Sequence, residues 1–289
     1  MRAIALALLL FAIAPALRAQ DANSSLPYHP LERRALVEPD AVLTEIPPLL
    51  RTAERQGNSR EAALLLLARA NACRVVADWG CQRQSAALAR AQATKAGDGI
   101  LAIRGLILES RADIGLQDYT RAEGLLGEAE LALRTTPSSE LAADVDLAYS
   151  SLSYSLGKHE LARKYAEQGI AQLREGEALA LRVRLLRNQG RALAYLGRVD
   201  EGRAVLERAL VIADELTDPK LSAELYLEDA RLAPDHGDDH RDHLGGHVFS
   251  WHYRAVCSTG SDANVASANS PTPRSGGTSS EVCTNTSPR

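Results

Sequence analysis

Three arginines give the first chemical signal in this sequence. Arg184, Arg187 and Arg191 fall at i, i+3 and i+7, which puts three guanidinium groups on one stripe of a helix, where their planar forks can clamp carboxylates or phosphates. A second concentration of reactive side chains lies near the C-terminus, where five of the seven histidines fall between His236 and His252. His236, His240, His243 and His247 stand among aspartates in DHGDDHRDHLGGH, residue types that suit Zn, Ni or Cu. Gly237, Gly245 and Gly246 break any helix that would align those rings, so no metal site is assigned and no cofactor is expected. Cys73 and Cys81, eight residues apart, fit either a disulfide across a helical hairpin or two small buried thiols. Cys257 and Cys283 lie in a stretch without regular pattern, where nothing favours a pairing. Residues 58–233 contain no nucleophile elbow, HExxH pair, phosphate-cradling glycine loop or CxxC pair. Their single histidine, His159, is expected at an exposed turn, and Asp144 with Asp146 on a solvated helix face. The chain is therefore read as non-enzymatic.

Those residues must be carried on a scaffold that composition limits. The 289 residues are 45% hydrophobic, 24% charged and 4% aromatic, which excludes a collagen, a coiled coil or a fully disordered chain and leaves few large core anchors. A net charge of −4 and a pI near 6.0 give no general basic field, so nucleic acid is not an expected partner and any anion site must be local. Met1 and Arg2 precede an apolar run from Ala3 to Leu17, with small residues at Ala16 and Ala19. This pattern reads as a signal peptide over residues 1–19, too short to span a bilayer, with cleavage after Ala19. A periplasmic or secreted chain without a transmembrane helix is expected.

A repeat organises the rest. Shifting the chain against itself by forty residues aligns Asp78-Trp79, Asp118-Tyr119, Lys158-His159 and Arg198-Val199 as tight turns between paired helices. The same offset stacks Leu126, Ala166 and Leu206, then Ala129, Gly169 and Ala209, as core positions of the second helices. Leu101, Leu141, Leu181 and Leu221 form one core column of the first helices. Ala72, Ala112, Leu152, Ala192 and Leu232 form another, and Val76, Leu116, Leu156 and Leu196 a third. Four members of the column Asn58, Asp98, Ser138, Ala178 and Asp218 are N-cap residues, which predicts helix starts near 59, 99, 139, 179 and 219. Asn58 with Glu61 has capping-box spacing, and Pro219 follows Asp218 where proline is tolerated. Two amphipathic helices per unit cannot bury their apolar faces alone and must stack on neighbours.

Leu156-Gly157-Lys158 through Ala162, together with Gly190, Leu196-Gly197-Arg198 and Ala209-Leu210, resembles the tetratricopeptide family of helical-hairpin repeats. The resemblance covers residues 58–233 as four hairpins and a terminal helix. The period is longer than the family's common one, Gln82 and Gly202 replace a usual small residue, and HEAT-like repeats are the alternative. It implies an all-α, right-handed solenoid whose first helices line a concave groove. Carried over position by position, that groove holds Asn71 and Arg74, Arg104 and Arg111, Ser151 and Tyr154, then Arg184, Arg187, Asn188 and Arg191. Leu67 stands where the carboxylate-clamp subfamily has a cation, so that subfamily is not claimed. A basic groove implies a protein or peptide partner with acidic groups. The array is also similar to the periplasmic sensory region of membrane-bound diguanylate cyclases, without the GGDEF domain. A metal-responsive protein using the His/Asp tail is the rival reading.

Residues 20–57 are expected to be extended or disordered up to residue 38, followed by a capping helix over Asp40–Gln56 that Pro47-Pro48 interrupts. From Pro234 the hydrophobic period vanishes, and 234–289 reads as a disordered tail, either native or the product of a frameshift.

Overall fold

Side-chain caps set where the helices begin. Asn58, Asp78, Asp98, Asp118 and Ser138 each accept a hydrogen bond from the backbone N–H three residues on, at 2.9–3.3 Å. Each therefore satisfies one of the amides left unpaired at a helix start. A computed structural model describes residues 26–216 and 219–232. The expected signal peptide, the cap at Asp218, and the tail with its histidines, Cys257 and Cys283 lie outside the described residues.

Among the described residues the chain is a succession of helices: α1 Pro30–Arg34, α2 Pro39–Arg55, α3 Ser59–Val75, α4 Trp79–Ala96, α5 Gly99–Gly115, α6 Tyr119–Leu133, α7 Ser139–Ser155, α8 His159–Gln172, α9 Leu179–Tyr195, α10 Val199–Glu215 and α11 Pro219–Leu232. The helix starts at 59, 99, 139, 179 and 219 are those that the forty-residue column predicts. Helices α3 and α4, α5 and α6, α7 and α8, and α9 and α10 form four hairpins, and each first helix also packs on the next first helix, up to α11. This is an all-α repeat solenoid.

The turns inside the hairpins repeat to the residue. Asp78, Asp118, Lys158 and Arg198 donate their N–H to the carbonyls of Cys73, Asp113, Ser153 and Leu193, at 2.9–3.0 Å. In each, the residue just before adopts positive φ: Ala77 at 57°, Gln117 at 63°, Gly157 at 70° and Gly197 at 80°. The bond from the third residue past the helix end closes its last turn, and the left-handed residue makes that closure possible. Cys73 on α3 and Cys81 on α4 are joined by a disulfide across the first turn, the pairing alternative of the two.

Small residues set the helix spacing. Leu126, Ala166, Leu206, Ala129 and Ala209 are buried as expected. A Cβ on Gly190 would stand 2.9 Å from the Gly202 carbonyl, and one on Gly202 2.7 Å from that of Gly190, so α9 and α10 cross backbone to backbone. Gln82 is fully buried and donates Nε2–H to the Leu108 carbonyl at 2.9 Å, which accommodates a polar side chain where a small one is usual. Buried Glu109 and Asp113 on α5 are flanked by Arg83 and Arg90 of α4 and Arg121 of α6, a charge cluster between the first two hairpins.

Four expectations are corrected. Val76, Leu116, Leu156 and Leu196 are not core: each is the residue capping the end of its helix, between 37% and 42% exposed, because the turn carries it off the packed face. Pro47 and Pro48 do not interrupt α2. Burial of Val42, Ile46 and Ala53 in one cluster with α3 holds the helix through the two missing N–H groups. Only half of the Asn58 capping box forms, since the Glu61 carboxylate turns to His29 instead, at 3.4 Å. Finally, residues 26–38 are not all extended. His29 caps α1 by accepting the Leu31 N–H on Nδ1, and Glu32 returns the bond by accepting the His29 N–H. The signal for this was present as His29-Pro30 with Glu32 at the third helical position.

Candidate functional site

The first helices share one face. Asn71 and Arg74 of α3, Arg104 and Arg111 of α5, Asp144 of α7 and Arg184 of α9 all line a single cavity of about 170 Å³. Spacings of three and seven residues put Asn71 with Arg74, and Arg104 with Arg111, on one side of each helix. Stacking the hairpins then brings these four stripes together.

The chain's own Leu26, Tyr28 and Glu32 also line the cavity. The segment ahead of α1 and α1 form a strap across α3 and α5. The buried Glu32 carboxylate accepts from Asn71 Nδ2 at 3.0 Å and Arg104 Nη2 at 2.5 Å, while Arg104 Nη1 donates to the Pro27 carbonyl at 2.5 Å. The Tyr28 ring lies 4.2 Å from the Arg104 guanidinium carbon, a cation–π contact. Burial pulls the Arg104 pKa down, but Glu32 and Tyr28 outweigh it and the net shift is upward. Arg104 is thus a fully committed cation.

The other cations fare differently. Arg111 Nη2 donates to Asp144 Oδ1 at 2.6 Å, and Arg187 pairs with Glu224 of α11. Arg74 and Arg184 line the cavity with no ion pair or hydrogen bond among the described residues. Burial, then the charges of Arg184 and Arg111, hold the Arg74 pKa down to about 10. Burial and Arg111 lower that of Arg184 in the same way. Both stay charged at neutral pH and repel each other.

The arginine stripe of α9 does not converge on one ligand. Arg184 enters the cavity and Arg187 reaches Glu224, whereas the Arg191 guanidinium lies 3.6 Å over the Tyr154 ring. Tyr154 also meets Tyr195 edge-on at 5.3 Å, and His159 stacks on Tyr195 at 4.7 Å, so His159 is a partly buried member of an aromatic cluster and not an exposed turn residue. Asn188 is buried and donates to Ser150 and Ser151, tying α7 to α9 inside the stack. Of the sequence-predicted set, Asn71, Arg74, Arg104, Arg111 and Arg184 share the cavity, and Tyr154, Arg187, Asn188 and Arg191 do not line it. Asp144 and Asp146 do not share a solvated face. Asp144 pairs with Arg111, and Asp146 is buried on the opposite side, accepting from Gln172. Tyr28, Glu32 and Glu224 were not legible as site residues, because their positions depend on contacts across 37 or more residues.

No cluster of three or more His, Cys, Asp or Glu side chains among the described residues is placed to hold a metal ion, and none of their helices is long and apolar enough to cross a membrane. No protein-family model matches the sequence, and no curated protein matches it. Solved structures do. A Rap protein complexed with Competence and Sporulation Factor is 16% identical, with a TM-score of 0.63 over 78% of this chain and 63% of that one. BtubC (BKLC) from P. vanneervenii is 15% identical, with a TM-score of 0.54 over 86% of this chain and all of that one. The chain thus spans less than two thirds of the Rap protein's length. At these identities the likeness concerns the fold, and it is a helical-repeat fold.

Proposed function

We propose that this chain is an exported, non-enzymatic scaffold of tetratricopeptide type that binds an acidic segment of a protein or peptide along the cavity lined by α3, α5, α7 and α9. The observation that carries the reading is the accumulation of Arg74, Arg104, Arg111 and Arg184 on one internal face of a protein whose net charge is −4, with two of the four lacking a carboxylate. Guanidinium groups in a partly dry cleft are strong carboxylate binders, since charge-assisted hydrogen bonds gain strength as water is excluded. The fold shared with a Rap protein solved in complex with Competence and Sporulation Factor is compatible with a ligand held by stacked helical hairpins. In an exported protein such a scaffold would serve as a ligand-sensing module, as in the sensory regions of membrane-bound diguanylate cyclases.

Fluorescence anisotropy of a labelled decapeptide of alternating Asp and Ala, set beside its Lys counterpart, tests this. Only the acidic peptide is expected to bind, with affinity falling as salt rises, and Arg74→Glu with Arg184→Glu is expected to abolish binding while leaving helical circular dichroism unchanged. Equal binding of both peptides, or full binding by the double variant, would refute it.

A further inference from the structure

His29 stands where the strap turns into α1, and both of its ring nitrogens are engaged. Nδ1 accepts the Leu31 N–H at 3.1 Å and so caps α1, while Nε2 lies 3.4 Å from Glu61 Oε1 of α3. A neutral imidazole that accepts on Nδ1 carries its one proton on Nε2. The surroundings therefore select one tautomer and one protonation state, with Nε2–H toward the carboxylate and the Nδ1 lone pair toward the backbone. The side chain is 16% exposed, so a proton can reach it from solvent.

Protonation reverses one of the two contacts. An imidazolium has an N–H at both positions, which sets Nδ1–H against the Leu31 N–H and deprives that amide of its acceptor. The positive ring also stands at a helix start, where unpaired amides already point. The gain is a stronger pair with Glu61, but that carboxylate is 41% exposed, and a pair so open to water contributes little. The other charges nearby do not offset the loss. Glu32 of α1 accepts the His29 backbone N–H and is committed to Asn71 of α3 and Arg104 of α5. Arg34 pairs with Glu38 and with Glu45 of α2, and Arg33, which lines the cavity, adds a second positive charge to α1. Tyr28 stays neutral, since burial outweighs the Arg104 charge and raises its pKa.

The effect of the ring's charge extends beyond α1. The residues just ahead of His29 are held on Arg104 by the Pro27 carbonyl and the Tyr28 ring, and Leu26 and Tyr28 line the cavity. We propose that His29 is a proton-operated catch: the neutral ring keeps the strap seated on α3 and α5, and protonation frees the segment ahead of α1 from Arg104, withdrawing Leu26 and Tyr28 from the cavity wall. The inference concerns the strap alone and stands whether or not the groove takes an acidic segment.

Hydrogen exchange of the full chain at about pH 8 and about pH 5, each rate divided by its intrinsic value at that pH, reads the catch. Protection of the Leu31 amide is expected to fall at least tenfold at the lower pH, with α9 and α10 unchanged. His29→Asn keeps an acceptor for the cap and takes up no proton in this range, so its protection is expected to be the same at both pH values. Glu61→Gln removes the carboxylate that favours the charged ring and is expected to leave the tenfold loss in place. Circular dichroism checks that both variants fold. Nuclear magnetic resonance of the wild-type His29 ring gives a test that needs no variant: Nδ1 is expected to be unprotonated at about pH 8, and its protonation to share one midpoint with the loss of Leu31 protection. Wild-type protection that ignores pH, a loss in His29→Asn as large as in wild type, disappearance of the loss in Glu61→Gln, or two separate midpoints would each overturn the catch.

Discussion

At the scale of single residues, Asp146 couples stability to pH. It is 3% exposed on α7, and burial first, then the Glu130 charge, raises its pKa to about 7 against the opposing hydrogen bond from Gln172. A carboxyl with a raised folded pKa holds its proton more tightly in the native state than in the unfolded chain. Its contribution is fully present below the unfolded value of 3.8 and is lost as pH rises through about 7. Wild type is expected to lose on the order of a few kcal/mol of stability between about pH 4 and about pH 8, with Asp146→Asn losing much less over the same window. Chemical denaturation across that range measures both, and parallel profiles would show that Asp146 is not the group responsible. Nothing in the sequence marks Asp146 apart from Asp144. Two residues along a helix turn one carboxylate into the cavity and the other into the packing under Gly169, where a glycine Cβ would stand 3.1 Å from the Asp146 Cβ.

At the scale of elements, the hairpin turns invite a symmetrical test. The four left-handed positions are equivalent by repeat and by hydrogen bond, yet two are Gly and two are Ala77 and Gln117. An L-residue with a Cβ pays about 1 kcal/mol for this conformation, which Gly avoids. Ala77→Gly and Gln117→Gly should each stabilise the protein by up to about 1 kcal/mol, and Gly157→Ala and Gly197→Ala should destabilise it by a similar amount. No atom lies within 4 Å of a Cβ built on Gly157 or Gly197, so the change tests backbone conformation rather than packing. Thermal melts of the four single variants check the signs, and a pattern that ignores the Gly/non-Gly split would refute the argument. These elements were legible almost to the residue, because capping side chains, turns and small core residues all act through neighbours in sequence and recur every forty positions. The interruption of α2 was misread for the opposite reason. The local rule against internal proline is outweighed there by the tertiary burial of Val42, Ile46 and Ala53.

At the scale of the whole molecule, the strap joins the N-terminal segment to α5, 72 residues away, through a pair in which both partners are almost wholly buried. Removing one partner leaves the other charged, buried and unpaired, so Glu32→Ala is expected to cost about 3 kcal/mol, with Glu32→Gln and Arg104→Met together recovering most of it. In a repeat stack each unit contacts only its neighbours. Hydrogen exchange should therefore quicken in α1–α5 and stay unchanged in α9–α11, whereas uniform quickening would mean that the array unfolds as one unit. The sequence by itself determined the repeat and the helix boundaries, since both follow from periodicity and from interactions spanning a few residues, while its resemblance to helical-hairpin repeats implied the placing of Asn71, Arg74, Arg104, Arg111 and Arg184 on one face. Only the tertiary structure decided which of those cations are free. Glu32, Asp144 and Glu224 reach their arginines across 33 to 72 residues, and no local pattern encodes a pairing between side chains that meet only when hairpins stack.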